Sequence, residues 1–445
     1  MESSQNILIA GAGLVGSLAA IALKRRGHHV TLVEARSDMR AQSSAAGRSI
    51  NLVLTIKGIE PLKRIGLLED VLKITTPVYG RMMHSQNGEL TYQPYGKDDS
   101  ERNYSVSRRD LNILLMNKAE ELGIEIVFES PLDQIDFQNK KVQFSKGEQL
   151  EYDILLGCDG AGSKTRKALQ AEVNGIDQTV PLGSSYKELL MPAKDNGDYP
   201  LDEKALHIWP RGNHFLMALP NQEGSFTMTV YMPDEWMEKL SDEQAVKSYF
   251  EEYYPDVVDL MPDYAQEFCE NPQGFLGSLD TLPWIYQDSV ALLGDAAHAI
   301  CPFFGQGMNC GFSDVQFLLT SLDQYQDDWE QIFSEYQKHQ KPHGDAIRDM
   351  SLENFKEMSD SVGDEEFLRR KKIERVLENA FPTLYRSRYA QVVYTLTPYD
   401  QAFKNGQINA KILDRICHKY QNPEEVDLNI AKSIIEEEYV KSQRE

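Results

Sequence analysis

Three glycines and one carboxylate near the start of the chain have the spacing that anchors a dinucleotide. Gly11, Gly13 and Gly16 form G-x-G-x-x-G, and Glu34 stands eighteen residues beyond the last of them. In this pattern the first glycine permits a tight turn and the second lets the backbone approach a pyrophosphate. The third lets a helix pack closely on a strand, and the acid reaches a ribose hydroxyl pair. The helix N-terminus adds unpaired N–H groups and the positive end of its dipole, both suited to phosphate. A merely structural glycine turn is the blander reading. It loses here because strand, helix, second strand and acid follow in the required order. The motif alone does not separate a nicotinamide from a flavin dinucleotide.

Two further motifs carry the argument on. Residues 294–307 read GDAAHAICPFFGQG. Asp295 follows a buried strand, the place where ligands collect in α/β folds, and its carboxylate can accept from sugar or ribityl hydroxyls. Gly305 and Gly307 let backbone approach a flat ring. The helix that starts near Met308 aims its positive end into that loop, where a reduced flavin would carry its negative charge. Taken alone, Gly-Asp is a turn with a helix cap; joined to the first motif it points to flavin. The third motif, Cys158-Asp159-Gly160-Ala161-Gly162-Ser163, also ends a strand and precedes a helix containing Lys164 and Arg166. No second G-x-G-x-x-G follows, so a nicotinamide cofactor has no nucleotide domain of its own.

The elements that must position these residues are legible as hydrophobic periods. Residues 6–10 read as a buried strand, Leu14, Leu18 and Ile21 step at helical spacing towards a stop at Gly27, and 29–34 read as the next strand,. Residues 79–95 alternate around Asn87-Gly88, a hairpin signal. A two-residue turn there pairs Arg81 with Pro94, and one bulge would pair it with Tyr95 instead; the sequence leaves both registers open. Ser107 and Asp110 have capping spacing ahead of a helix to about 122. Residues 152–158 and 289–293 read as buried strands, and 181–275 as a mostly antiparallel sheet. From about 325 onward the pattern is helical. Tyr385, Tyr389 and Tyr394 read as packing between those helices, and His298 as a packed residue in a small-residue helix start.

Bulk properties exclude several function classes. The 445 residues carry 69 acidic and 46 basic side chains, a formal net charge of −23. That disfavours nucleic acid and anionic membrane surfaces as partners. Five scattered cysteines suit a reducing compartment better than disulfides or zinc, and the nine histidines show no metal-ligand spacing, so no metal is expected,. No leader and no apolar stretch of membrane-spanning length is read, and Asp427 to Glu445 looks like a charged helix rather than an anchor.

The three motifs in this order resemble the single-component flavoprotein aromatic hydroxylases. Within them, GRSINLVL (47–54), YGRMMH (79–84), PYG (94–96), SVSRRDLN (105–112), LLGCDGAGS (155–163), LHIWPR (206–211) and GDAAHAICPFFGQGMN (294–309) are similar to the kynurenine 3-monooxygenase branch. The similarity runs from about residue 5 to 320 and then weakens. The YGRMMH, PYG and LHIWPR blocks are its most specific parts.

The resemblance implies an α/β fold: a Rossmann-like FAD-binding domain of the GR2 type, an inserted antiparallel β-sheet substrate domain and a C-terminal helical region. The expected division is 1–75, 103–180 and 276–325 for FAD, 76–102 and 181–275 for the sheet domain, and 326–445 for the helices. It implies FAD as cofactor, NADPH as co-substrate, and L-kynurenine hydroxylated with O2 by way of a flavin C4a-hydroperoxide. No side chain is expected as a catalytic nucleophile. Gly11, Gly13, Gly16, Glu34, Arg108, Asp159, Asp295, Gly307, Met308 and Asn309 are the implied cofactor contacts. Arg81, Tyr95, Asn354 and Tyr399 are the implied substrate contacts, with Arg81 pairing bidentately with the α-carboxylate. Without the resemblance, Arg81 reads as a solvated strand charge and Arg108 as a surface arginine. A soluble, cytoplasmic, bacterial member without a membrane anchor is expected, and a homodimer stays open. Competing readings are a flavin halogenase, whose W-x-W-x-I-P signature is absent, a hydroxylase of another aromatic acid, and a flavin-binding protein without turnover.

Overall fold

The computed structural model describes residues 4–41, 51–356 and 365–442. The GRSI part of the block at 47–50 lies outside the described residues. The chain divides into two units, one within Met1–Thr76, Ser105–Ser184 and Phe275–Arg348, the other within Pro77–Tyr104, Ser185–Gly274 and Asp349–Glu445. Of the helical stretch expected at 326–445, the part up to Arg348 falls in the first unit and the rest in the second.

The first unit is built on a six-stranded sheet. Its order is Ile285-Tyr286, Val290–Leu292, Ile154–Gly157, Asn6–Ala10, His29–Val33 and Glu125–Val127, parallel except for the first pair. The run Ile7–Ala10 and all of Ile154–Gly157 and Val290–Leu292 are buried. That is why these strands read as unbroken apolar runs rather than alternating ones. The helix Leu14–Arg25 covers the sheet with eight consecutive buried residues, Gly16 to Leu23.

One row of this sheet sets the site. Leu292, Gly157, Ala10 and Val33 are register partners across four neighbouring strands. The ladder continues one residue further, with Leu293 N–H to Gly157 O, Cys158 N–H to Ala10 O, and Gly11 N–H to Val33 O. All three motif loops and Glu34 thus leave the sheet at one level, at its carboxyl edge.

The second unit holds the strands Phe226–Pro233, His214–Pro220, Ala205–Arg211, Gly80–His84 and Leu90–Pro94 in that order. Pairing is antiparallel except between Ala205–Arg211 and Gly80–His84, which run parallel. Residues 234–270, expected as sheet, fold instead into the helices Asp234–Met237, Glu243–Tyr253, Pro255–Val258 and Tyr264–Glu270. Their Val246 and Phe250, with Tyr254 at the junction of two of them, share a core with Trp209, Leu216 and Met228 of the strands. A sheet with one apolar face needs such a cover. A second core joins Ile373, Leu377, Ile412, Ile416 and Ile435 of the C-terminal helices with Tyr385 from a connection between two of them. Among the described residues no helix is long and apolar enough to cross a membrane.

The hairpin register is neither of the two expected. Arg81 pairs with Gln93, and Gly80 with Pro94. The loop has three residues, closed by Ser85 N–H to Glu89 O, with Gly88 at φ +85°. Three-residue loops with glycine in the left-handed position shift the pairing by one relative to a two-residue turn. Tyr95 consequently lies diagonally from Arg81, two residues beyond its direct partner and on the same face.

Glycine at position 16 follows from space. A Cβ there would sit 2.0 Å from the Gly11 carbonyl oxygen, whereas one on Gly13 would meet nothing within 4 Å. Gly16→Ala is expected to destabilise the apoprotein by about 2 kcal/mol or more. Gly13→Ala should cost under about 0.5 kcal/mol and weaken dinucleotide binding instead. Urea unfolding of the two variants checks the contrast.

Candidate active site

The dinucleotide cradle is assembled by local backbone first. Gly11 adopts φ +101°, and a Cβ on it would lie 2.4 Å from the Cys158 carbonyl oxygen. Gly13 caps the helix Leu14–Arg25 without any side-chain cap and with no acid in the first turn. Glu34 is buried against this turn. Its Oε2 accepts from Ala12 N–H at 3.1 Å and its Oε1 from the Arg36 backbone N–H at 3.0 Å. The expected ribose acceptor is therefore also the clasp that ties the glycine turn to the second strand.

In the third motif the aspartate is engaged within its own loop. Asp159 Oδ2 accepts from the backbone N–H groups of Lys164 and Thr165, at 2.8 and 3.0 Å, and Oδ1 accepts from Ser163 Oγ. The carboxylate caps the helix Lys164–Val173. Buried Arg166 on that helix donates to Ala161 O, to Ala296 O and to Asp177. It joins the Asp159 loop to the Asp295 loop, a role that no local pattern announced.

The second motif rests on a buried ion pair. Asp314, inside the helix Gly307–Tyr325, accepts through Oδ2 from Gly294 N–H at 2.8 Å and from His298 Nε2 at 2.6 Å. Gly294 sits at φ +62°, and a Cβ there would touch Val15. The strut fixes the turn that presents Asp295. Asp295 is half-buried, makes no side-chain hydrogen bond among the described residues, and lies 4.0 Å from where a Cβ on Gly307 would be. Asn309 is fully buried and turned inward: its amide donates to Val53 O and Gly305 O and accepts from Thr55 N–H. Met308 is buried beside it. The helix that begins at Gly307 has no side-chain cap and no acid in its first turn.

These features fit an FAD. Two long helices present uncapped, acid-free N-termini behind glycines, where phosphate and a negatively charged ring edge are stabilised. Asp295 supplies a carboxylate without an internal partner for a polyol. Arg108 opens the helix Arg108–Glu121 behind its Ser107 cap and is exposed, with no side-chain hydrogen bond or ion pair among the described residues.

A second constellation lies in the other unit. The Arg81 guanidinium carbon is 5.5 Å from the Tyr95 ring centroid and 5.3 Å from that of Tyr389. The two rings stack 5.4 Å apart at 17°. The Arg81 charge acts on both hydroxyls. Burial raises both phenols above their ordinary range, so each stays protonated and can donate, even though the Arg81 charge pulls the other way,. Tyr389 is held by its own frame: Ser387 caps the helix Arg388–Tyr394, and Arg386 pairs with Glu101 at 2.7 Å. Expected to pack between helices, Tyr389 is instead the ring over Arg81. Tyr399 opens the helix Tyr399–Lys419 and is fully buried. Asn354 is buried in the helix Trp329–Lys356.

Comparison with known proteins supports the same chemistry. The family model described as FAD binding domain matches residues 4–351. The chain is 42% identical to the kynurenine 3-monooxygenase of Myxococcus xanthus over 440 residues, covering 96% of this chain and 94% of that one. It is 41% identical to the protein of that name from Flavobacterium psychrophilum, covering 95% and 96%. For the one from Dictyostelium discoideum the identity is 37%, covering 96% and 97%. Among solved structures, 2-methyl-3-hydroxypyridine-5-carboxylic acid oxygenase superposes with a TM-score of 0.68 at 21% identity, over 82% of this chain and 96% of that one. P. aeruginosa PqsL in complex with 2-aminobenzoylacetate gives 0.66 at 22%, over 80% and 97%. These two are likenesses of fold.

The ion pair beneath Gly294 has a pH signature. Burial alone disfavours the His298 imidazolium, but the Asp314 carboxylate and the Cys310 sulfur outweigh it, and the His298 pKa stands well above 6.5,. A pKa raised by folding contributes stability that is full below the unfolded value and is lost as pH rises through the folded one. The stability gap between the parent protein and Asp314→Asn is therefore expected to be wider near about pH 6 than near about pH 9. Urea unfolding at the two pH values reads it, and equal gaps would mean a neutral His298.

Proposed function

We infer the function from the premise that this chain belongs to the kynurenine 3-monooxygenases, hydroxylases of the FAD-binding family. The reaction is hydroxylation of L-kynurenine at ring carbon 3, ortho to the aromatic amine, with NADPH as reductant and O2 as oxygen donor. Bound FAD supplies the redox chemistry, accepting hydride and activating O2. The aniline nitrogen already enriches the ortho carbon in electrons, so no side chain has to act as nucleophile or strong base. The protein's tasks are to hold the ring, keep water out and orient the reacting carbon.

Each residue then has a physical task. Gly11, Gly13 and Gly16 with their helix N-terminus hold the pyrophosphate, and Glu34 holds the ribose while clasping Ala12,. Asp295 takes the ribityl hydroxyls, and the backbone at Gly307, Met308 and Asn309 takes the ring edge. Arg108 contributes a positive charge from its helix start. Asp159 acts through the loop it caps rather than by contact.

The observation that carries the substrate reading is the Arg81 cluster. A guanidinium flanked by two protonated phenols offers several donors and suits an α-carboxylate,. We place Tyr95 and Tyr389 beside Arg81, with Asn354 serving the amino-acid end and Tyr389 taking the part first expected of Tyr399. A reducing, cytoplasmic setting suits this reading, since all five cysteines are unpaired,.

The test is NADPH oxidation by the FAD-loaded protein with and without L-kynurenine, following the product by mass. Stimulation with hydroxylated product in step with NADPH is expected. Stimulation yielding only peroxide would make kynurenine an effector, and no stimulation would overturn the substrate. Arg81→Ala should raise the KM for kynurenine by about 100-fold, the loss of charged hydrogen bonds. Tyr389→Phe should raise it more than Tyr399→Phe does.

A further inference from the structure

Asn103 lies at the start of the strand Asn103–Ser107 and is 3% exposed. Its Nδ2 donates to the Tyr389 hydroxyl oxygen at 2.9 Å, across 286 residues of sequence. The Arg81 guanidinium carbon stands 5.3 Å from the centroid of the same ring. A phenol oxygen has one proton to give and limited room to accept. The amide N–H donates to it from the Asn103 side and occupies a lone pair there. Its own proton is thereby turned away from Asn103, the side on which Tyr95 and Arg81 stand. The amide's Oδ1 is buried and has no hydrogen-bond partner among the described residues. Only the donor half of Asn103 makes a bond here.

We propose that Asn103 is a positioning residue for substrate binding: it holds the Tyr389 ring against Tyr95 and turns the Tyr389 hydroxyl proton toward the substrate's α-carboxylate. This rests on the kynurenine reading above. The reversed amide would have the opposite effect. Its carbonyl would take the Tyr389 proton and leave a lone pair facing the carboxylate, so removing Asn103 would then improve binding.

Asn103→Leu separates the two. Leucine is close in shape and also removes the unpaired buried acceptor, so the fold is expected to tolerate it. Affinity is read by titrating the flavin absorbance of the FAD-loaded protein with L-kynurenine and with the amine that lacks its carboxylate. The expected result is about a tenfold loss for kynurenine, with under about twofold change for the decarboxylated amine. The KM for kynurenine should rise in parallel while kcat moves less. In a Tyr389→Phe background, Asn103→Leu should add nothing further, because the bond it removes is already gone. If Asn103→Leu fails to retain FAD, Asn103→Asp, the same shape without the donor, is expected to show the same selective loss.

Unchanged or tighter kynurenine binding would overturn the proposal. So would equal weakening of both ligands, which marks a packing defect, or full additivity with Tyr389→Phe. Parent protein that binds neither ligand would instead overturn the substrate reading and this inference with it.

Discussion

Leu292, Gly157, Ala10 and Val33 form one hydrogen-bonded row across four strands, and the dinucleotide half of the molecule depends on that row. Parallel strands all end on the same side, so loops that follow them can meet. The common register does more, because it brings the loops out at the same height. Gly11 can then pack against the Cys158 carbonyl so closely that no Cβ fits. A shift of one residue in any of these strands would turn its side chains to the opposite face and carry its loop away from the others.

Three aspartates near this edge show how neighbours divide one chemistry. Asp159 has both oxygens engaged, one by the first N–H groups of a helix and the other by the Ser163 hydroxyl. Asp314 is buried with His298 and holds the Gly294 turn from below. Only Asp295 keeps its carboxylate free of internal bonds among the described residues, and it is the one presented by the strut. Removing one partner of a buried charge pair leaves the other uncompensated. The turn that aims Asp295 is accordingly among the costliest places to disturb.

The other unit solves a recognition problem with a cation and neutral donors. Arg81 is braced by two stacked phenols, contacts worth roughly 0.5–2 kcal/mol each,. Burial keeps those phenols protonated, so the cluster is rich in donors. Planar bidentate recognition of a carboxylate needs a guanidinium that is already oriented. The frame that orients it reaches far along the chain: a hairpin near residue 90, the strand at Asn103, and the helices around Arg386 and Tyr389.

The sequence by itself determined what repeats locally. Apolar runs marked the buried strands, the glycine spacing with Glu34 marked the dinucleotide turn, Ser107 with Asp110 marked a helix start, and the motif order marked the FAD family. Each of these depends on residues within one turn, strand or βαβ unit, where sterics and hydrogen bonding leave few choices. What the tertiary structure decided was which distant groups meet. The Asn87-Gly88 signal was compatible with several loop lengths, and only the paired strands selected Arg81 opposite Gln93. The segment 234–270 lies within a stretch that reads broadly as sheet, but it is helical, and its Val246 and Phe250 pack on the apolar face of the strands. Tyr389 and Tyr399 are both aromatic residues at helix starts, alike to any local pattern. Tyr389 reaches Arg81 because the Arg386–Glu101 pair and the Asn103 amide hold it there, and such contacts are set by packing free energy summed over the fold rather than by any stretch of sequence,.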